Sequence, residues 1–483
     1  MKYIIALDIG TSSVRAAFFN VDLKIVKQEQ KEIASFSPRS CWVEQDPNEL
    51  WLATKEVLEK LLAEFSGLKE IVGLGITNQR ETTIIWSKKD SRPIYPAIVW
   101  QDRRTDKFCA ALKKRDLANK IYLKTGLRLD PYFSATKINW ILDNVANAKQ
   151  KAKRGELLFG TVDSWIIYKL TGGKSHVTDV SNASRTMLFN IKNLSWDKDL
   201  LKLFQIPMEI LPRVLPSVAR GANFGMAEIN SWRVPILAVC GDQTSALYGE
   251  GCFKFGDTKA TYGTGGFVVA NVGKKPLFKN KNLITTIAWQ KDKEVIYALE
   301  GSIFQSGGAL KWLRDNLKLF NDYEEANRLS YEAKDSGGVI LIPSFVGLGA
   351  PYWNSKARAA IFGLSNFTTK GHLINAAIEA AAFQVEDILD EMKKSGVVVK
   401  KIKADGGLTL NKHLLPFQAD ISNVIVSKAV SMEMTNRGVA ALAIYSLGWI
   451  EKSDKILGVY KNKLKPLARD VLKKKWRQAI GNI

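Results

Sequence analysis

The chain has 483 residues, of which 46% are hydrophobic, 10% aromatic and 24% charged. That profile fits a folded protein of two or three domains; the apolar fraction can fill a core, which excludes a disordered chain, and the 35 Gly and 14 Pro follow no period, which excludes a collagen-like one. Lys+Arg number 70 against 48 Asp+Glu, a formal charge of +22, but the basic residues form no single long tract, so DNA and RNA are not expected partners.

The chain opens on a β-run, Tyr3–Leu7, which Asp8 interrupts too early for a signal peptide. Four cysteines (Cys41, Cys109, Cys240, Cys252) form no CxxC pair and only three histidines exist. A reduced, cytoplasmic chain without a zinc site is expected. A Gly and hydroxyl turn, Asp8–Ser13, and a second β-run, Val14–Phe19, predict a hairpin. Asp46, Pro47 and Glu49 predict the start of a helix, with Asp46 as N-cap and Leu50, Val57, Leu58, Leu61 and Leu62 on its apolar face. Ile71–Thr77 reads as a buried strand ending in Asn78-Gln79-Arg80-Glu81. Ala97–Trp100 and Leu237–Cys240 read as two more, ending in Gln101-Asp102-Arg103-Arg104 and Gly241-Asp242-Gln243. The alternation of strands and helices predicts an α/β class, in which ligands collect at the carboxyl ends of strands.

The second half, from near Gly251, carries three glycine turns. Thr261–Gly266 lies beside a strand Phe267–Asn271, Ser306-Gly307-Gly308 precedes a helix from about Ala309, and Asp405-Gly406-Gly407 precedes another helix-like run. The shared strand-then-turn theme predicts two similar domains facing a cleft, divided as 1–249 and 250–483. The longest apolar run, Gly438 to Ile450, contains Ser446 and falls short of the ~18–20 residues of a membrane span. Lys473–Lys475 with Arg477 is expected to be a solvated helix face.

Familiar nucleotide motifs are absent. Gly173-Lys174-Ser175 mimics the end of a P-loop, but Tyr168 stands where its first glycine belongs. Gly73-Leu74-Gly75 lacks a third glycine, having Asn78. What remains is Asp8-Ile9-Gly10-Thr11-Ser12-Ser13, with Arg15 beyond. Backbone N–H groups and the hydroxyls of Thr11 and Ser12 suit a phosphate, Asp8 suits Mg²⁺ held partly through water, and Arg15 suits a phosphoryl group in transfer. The same residues also fit a plain polar hairpin tip. Asp242 fits a base or metal ligand paired with Asp8, and equally a helix N-cap. Arg80-Glu81 fits a grip on hydroxyl groups, or a surface ion pair worth little. Trp100, Tyr132 and Phe267 fit the wall of a polyol pocket, or ordinary core aromatics.

Several stretches carry a family resemblance: Gly75–Thr83, Arg154–Asp163, Asn182–Asn190 and Phe345–Trp353, with two signature segments at Tyr132–Asn144 and Ala359–Glu379. On these the chain resembles the FGGY carbohydrate kinases from Tyr3 to about Trp449, and among them the members that phosphorylate glycerol. The resemblance implies two actin-like (ribonuclease H-like) domains flanking a central cleft. It implies direct transfer from ATP, with Mg²⁺, to a terminal hydroxyl, giving sn-glycerol 3-phosphate. Arg80, Glu81, Trp100, Tyr132, Asp242, Gln243 and Phe267 match the glycerol pocket, and Asp242 the catalytic base. Thr11, Ser12, Ser13 and Arg15 match the phosphate turn, and Thr264, Gly307, Gly407 and Asn411 the ATP positions. Lys311 stands near the nucleotide where some members carry Gln. A homodimer or homotetramer is implied as well. Ile9 and Gly266 depart from the usual residues. The segment Asn223 to Arg233, with Ser231 where a glycine is expected, lacks the glycine-rich loop that binds fructose 1,6-bisphosphate in regulated members.

Overall fold

Strands β1 (Tyr3–Ile9) and β2 (Ser13–Asn20) form the expected hairpin, with Asp8 opposite Arg15. The structure is a computed structural model that describes residues 2–63, 70–221, 224–230, 232–429, 431, 433–449 and 458–483. Asn223 and Ser231, named above for the regulatory loop, lie outside the described residues. The Gly10 N–H donates to the Ser13 carbonyl at 2.9 Å and closes the hairpin tip. β3 (Ile25–Glu32) pairs with β2. After helix α1 (Pro47–Ala63), β4 (Ile71–Asn78) runs parallel to β1. β5 (Met226–Ile229) and β6 (Trp232–Gly241) complete a sheet in the order β5-β6-β4-β1-β2-β3. β6 is longer than the expected Leu237–Cys240 because its first residues pair with β5.

Helix α1 begins where Asp46-Pro47 predicts, and the Asp46 carboxylate accepts from the Asn48 N–H at 2.8 Å. The Glu49 carboxylate reaches the Ala34 N–H at 3.2 Å, tying the helix to the chain that follows β3.

The second sheet holds β7 (Thr258–Tyr262), β8 (Gly266–Gly273), β9 (Ile284–Lys291), β10 (Glu294–Ile303), β11 (Lys401–Asp405), β12 (Ile425–Lys428) and β13 (Gly458–Tyr460). Its order is β9-β10-β8-β7-β11-β12-β13. Outward from the hairpin β7-β8, it repeats the first sheet. A third antiparallel strand lies on one side, and two parallel strands with an antiparallel edge strand lie on the other. Only β9 has no counterpart. The two halves are thus built on one plan.

Because β1, β4 and β6 are parallel neighbours, their carboxyl ends share one edge. Thr77 is the register partner of both Asp8 and Cys240, so Asp8, Arg80 and Asp242 lie at the ends of adjacent strands. The expected strand Ala97–Trp100 is different. Only Ala97–Ile98 pairs, with Glu44–Gln45, outside the main sheet. The Asp102 N–H donates to the Val99 carbonyl at 3.0 Å, and that turn takes Trp100 out of the strand.

Helices α2 (Asp242–Gly249), α3 (Gly307–Asp315), α4 (Lys370–Lys394), α5 (Met434–Ser446) and α6 (Pro466–Gly481) complete the frame. α5 comes late in the chain, yet it packs on β1, β4, β6 and α2. Val439, Leu442 and Ile444 are buried in one cluster with Ile4, Ala6 and Cys240 of the first sheet and Val269 and Ala298 of the second. The apolar run from Gly438 is therefore an inter-domain core element; Ile450 lies outside the described residues. Among the described residues no helix is long and apolar enough to cross a membrane. α6 is more than a solvated basic face. Lys473 and Arg477 pair with Asp390 of α4, and the buried Trp476 stacks on Phe383 at 5.0 Å.

One half-buried histidine gives the first domain a pH dependence. His176 packs edge-on against Trp86 at 5.5 Å and its Nε2 lies 2.8 Å from the Phe159 carbonyl. Burial depresses its pKa from 6.5 to about 4, with Lys88 adding to the effect. The folded chain thus keeps His176 neutral while the unfolded chain takes up a proton below pH 6.5. Stability is expected to fall between pH 6.5 and 4, by about 3 kcal/mol from this group alone. His176→Gln is expected to remove that part of the slope in urea midpoints measured across the range.

Candidate active site

β4 delivers Asn78-Gln79-Arg80-Glu81, and the chain reverses there. The Thr82 N–H donates to the Arg80 carbonyl at 2.8 Å across Glu81, whose φ is +63°. A non-glycine residue in that region costs of order 1–3 kcal/mol, so its surroundings must hold it. Arg80 and Glu81 are both 2% exposed, which excludes the surface ion pair. Their ion-pair partners lie elsewhere. Arg80 Nε faces Asp242 Oδ1 at 3.0 Å, while its Nη1 and Nη2 donate to Glu300 of β10 at 2.7 and 3.0 Å. Glu81 accepts from Arg185 Nε at 2.5 Å, and Arg185 Nη2 donates to Glu300 at 2.9 Å.

Arg185 and Glu300 are missing from the expected set. Arg185 sits within the stretch Asn182–Asn190. Glu300 had one sequence signal, an acid deep inside an otherwise apolar strand, where a charge is retained only if paired. Burial raises the Glu81 pKa against the pull of Arg185 and Arg80. Burial acts the same way on Glu300, but Arg185 and Arg80 outweigh it and bring its pKa to about 2. The difference follows the hydrogen bonds: Glu300 accepts from both guanidiniums, Glu81 from one.

Asp242 is the open member of this group. Its side chain is 26% exposed, against 2% for Arg80 and 0% for Glu300. Gly241 holds the N-cap position of α2, so Asp242 is not the cap. Its Oδ1 accepts from the Gln243 N–H at 2.6 Å and its Oδ2 from Gln243 Nε2 at 3.2 Å. Gln243 Oε1 in turn accepts from the buried Lys259 Nζ at 2.7 Å. Trp100 meets Tyr132 edge-on at 5.7 Å and Phe267 at 6.4 Å. Arg185, with its guanidinium 5.6 Å from the Tyr132 ring, joins the aromatic wall to the charged one. All seven expected pocket residues are brought together.

Trp100 also links this pocket to the hairpin tip, donating from Nε1 to Thr11 Oγ1 at 2.9 Å. The Thr11 hydroxyl reaches Gln79 Oε1 at 3.3 Å. Ser12 is exposed at the tip and Ser13 opens β2. Arg15, expected to face phosphate, is engaged: its Nη1 donates to Glu433 at 2.5 Å, and its Nε and Nη2 to Gln30 at 2.9 and 2.7 Å. Asp8 Oδ1 is buried without a hydrogen-bond partner. Burial and the negative charge of Asp242 push the Asp8 pKa up to about 7, with Arg15 opposing. An orphaned carboxylate oxygen beside a second carboxylate fits a cation, and few protein oxygens with phosphate and water completing the shell fit Mg²⁺. Among the described residues no cluster of three or more His, Cys, Asp or Glu suits a metal, so the protein offers this pair and no full cage.

In the second domain the glycine turns meet. The Gly307 N–H donates to the Gly263 carbonyl at 2.8 Å, and the Ser306 and Gly308 N–H groups reach the Thr264 carbonyl at 2.9 and 3.0 Å. Gly406 has φ +94°, and a Cβ there would lie 2.5 Å from the Tyr262 carbonyl oxygen, so only glycine fits. Thr264, Gly307 and Gly407 are thereby neighbours, and α3 starts two residues before the expected Ala309, its first three N–H groups taken by the carbonyls of Gly263, Thr264 and Ser306. Lys311 is exposed on α3. Asn411 donates to Asn327 at 2.6 Å on the rim of a cavity of about 500 Å³.

Comparisons with known proteins bear on the family and the fold. The model of the FGGY family of carbohydrate kinases, N-terminal domain, matches residues 3–249, and that of its C-terminal domain matches 258–447. The chain is 45% identical to the glycerol kinase of Oceanobacillus iheyensis, over 99% of this chain and 97% of that one. It is 45% identical to glycerol kinase 2 of Thermotoga maritima, over 100% and 98%. Among solved structures, Plasmodium falciparum glycerol kinase with ADP superposes with a TM-score of 0.90 at 34% identity, covering 100% of this chain and 98% of that one. A xylulose kinase from Lactobacillus acidophilus shares the fold, with a TM-score of 0.85 at 22% identity over 99% and 97%. The two matched sheets are accordingly the two domains of an actin-like kinase fold, and the chain belongs to the FGGY family of carbohydrate kinases.

Proposed function

We propose that the protein transfers the γ-phosphoryl group of ATP to a terminal hydroxyl of glycerol, giving sn-glycerol 3-phosphate and ADP. One observation carries the reading: a partly open carboxylate, Asp242, held beside a fixed guanidinium, with three aromatic rings in mutual contact joined to the same charged group through Arg185. The 45% identity to relatives named glycerol kinase supports the choice of substrate.

Phosphoryl transfer asks for positioning and charge stabilisation rather than covalent help from the protein. Trp100, Tyr132 and Phe267 lie against the C–H face of glycerol. Arg80 donates to its hydroxyls and Glu81 accepts from them. Gln243 orients Asp242, which takes the proton of the attacking hydroxyl as the bond to phosphorus forms. The N–H groups and hydroxyls of Thr11, Ser12, Ser13 and Thr264 receive the phosphates. Arg15 shares in that task once Glu433 yields part of its grip. Gly307, Gly407, Asn411 and Lys311 border the nucleoside. Mg²⁺, held by Asp8 and Asp242, supplies neutralising charge for the phosphate oxygens when bound. Among the described residues no Ser, Cys or His of the matching set is placed as a nucleophile, so transfer is direct and the kinetics are sequential. Closure of the two domains, divided near residue 250, excludes water as a competing acceptor. A cytoplasmic homodimer or homotetramer completes the reading.

The test is ADP release with Mg²⁺–ATP and glycerol, dihydroxyacetone, erythritol, xylulose and ribulose in parallel. Glycerol is expected to be preferred over every other acceptor. A preferred ketose would keep the mechanism and overturn the substrate.

A further inference from the structure

Two fully buried residues lie beneath the Arg80-Glu81 hook without belonging to the pocket. Arg185 and Glu300 are each 0% exposed. Glu300 stands on β10 of the second sheet, 220 residues from Arg80 and 115 from Arg185, so it joins elements of both domains. Its two oxygens take both terminal nitrogens of Arg80, which turns the guanidinium so that Nε faces Asp242. Arg185 holds Glu81 by Nε and Glu300 by Nη2, and its guanidinium lies 5.6 and 5.3 Å from the rings of Tyr132 and Phe133.

We infer that Arg185 and Glu300 are positioning residues for polyol recognition, a buried pair that sets the orientation of Arg80 and Glu81 and so fixes which hydroxyls the pocket accepts. The inference deepens the reading of the pocket given above and rests on it. Charge supports it. The two guanidiniums match the carboxylates of Glu81 and Glu300 in number, which leaves Asp242, the open member, to the buried Lys259 that reaches it through Gln243. Geometry supports it too. Without Glu300, Asp242 is the carboxylate left in direct ion-pair contact with Arg80 among the described residues, and the fork turns toward it and away from substrate. Without Arg185, Glu81 loses its guanidinium hydrogen bond at a strained backbone position. A buried ion left without its partner is costly, so a change at one member spreads to the others.

The experiment compares glycerol with 1,2-propanediol, which lacks one terminal hydroxyl. A site built to bond a hydroxyl rejects an analogue without it by up to ~10⁴–10⁵ in kcat/KM. Glu300→Gln is nearly the same size and keeps one acceptor oxygen. It is expected to raise KM for glycerol at least ~10-fold, to leave KM for ATP within ~3-fold, and to shrink the preference for glycerol at least ~10-fold, the scale of one hydrogen bond to a charged group. Arg185→Lys is expected to shrink the preference likewise. A purely structural role would lower the melting temperature and both activities together and leave the preference unchanged; that result overturns the inference. Should Glu300→Gln fail to fold, Glu300→Asp keeps the charge and shortens the reach. A smaller preference in that variant supports the inference and an unchanged one overturns it. Wild-type protein inactive on glycerol overturns the functional reading itself, and the inference with it.

Discussion

Asp242→Asn is expected to lower kcat by ~10²–10⁴-fold, the usual worth of a general base, while KM for glycerol changes far less. The substitution keeps shape and one acceptor oxygen, so the Gln243 N–H that donates at 2.6 Å still finds an acceptor. Arg80 keeps its two bonds to Glu300, so the pocket wall stands. What disappears is the ability to accept a proton and one negative charge. Such a loss is felt in the transition state and not in ground-state binding, so kcat and kcat/KM fall together. A second consequence follows at Asp8, whose carboxyl is pushed up to about 7 by burial and by Asp242. Without that neighbouring charge Asp8 ionises more readily, so the variant retains a carboxylate for the cation. Initial rates over a grid of glycerol and ATP concentrations separate the two effects. Near-wild-type kcat would remove Asp242 from the role of base.

The parts of the site that sequence makes legible are those carried by consecutive residues. The run from Asp8 to Ser13 names its own hairpin, and the strand-end rule places Asp8, Arg80 and Asp242 together because β1, β4 and β6 are parallel neighbours. Trp100 reads from the sequence as a strand residue of the pocket; the turn between Val99 and Asp102 carries it there instead. The partners were the hidden part. Arg80 and Glu81 are adjacent in the chain, and adjacency suggests a mutual pair. Each instead finds its opposite charge more than a hundred residues away, in Glu300 and Arg185. Arg15 shows the same blindness, since Glu433 lies 418 residues on and no local pattern announces it. Long-range ion pairs leave a trace only where burial makes an unpaired charge untenable, as for Glu300 inside β10.

Gly438→Ala is expected to destabilise the fold by about 1–3 kcal/mol or more and to lower kcat as well, although helix propensity alone argues the other way. Gly438 lies inside α5, where alanine is worth about 0.5–1 kcal/mol more than glycine in an open helix. Here the helix is not open. A Cβ at 438 would sit 1.8 Å from the Ser245 carbonyl oxygen and 2.5 Å from its carbon, both backbone atoms that cannot rotate away. Gly249 repeats the contact from the other side, with its Cβ position 2.3 Å from the Met434 carbonyl oxygen. Helices α2 and α5 therefore cross backbone to backbone, and an added methyl must push them apart. α2 begins at Asp242, so the displacement reaches the proposed base and the surface on which the domains close. Gly481, at the end of α6 with nothing within 4 Å of its Cβ position, is the matched control. Gly481→Ala is expected to leave both melting temperature and kcat near wild type. If Gly438→Ala behaves like that control in denaturation and in turnover, the crossing is looser than its glycines indicate, and the link from the inter-domain helices to Asp242 fails.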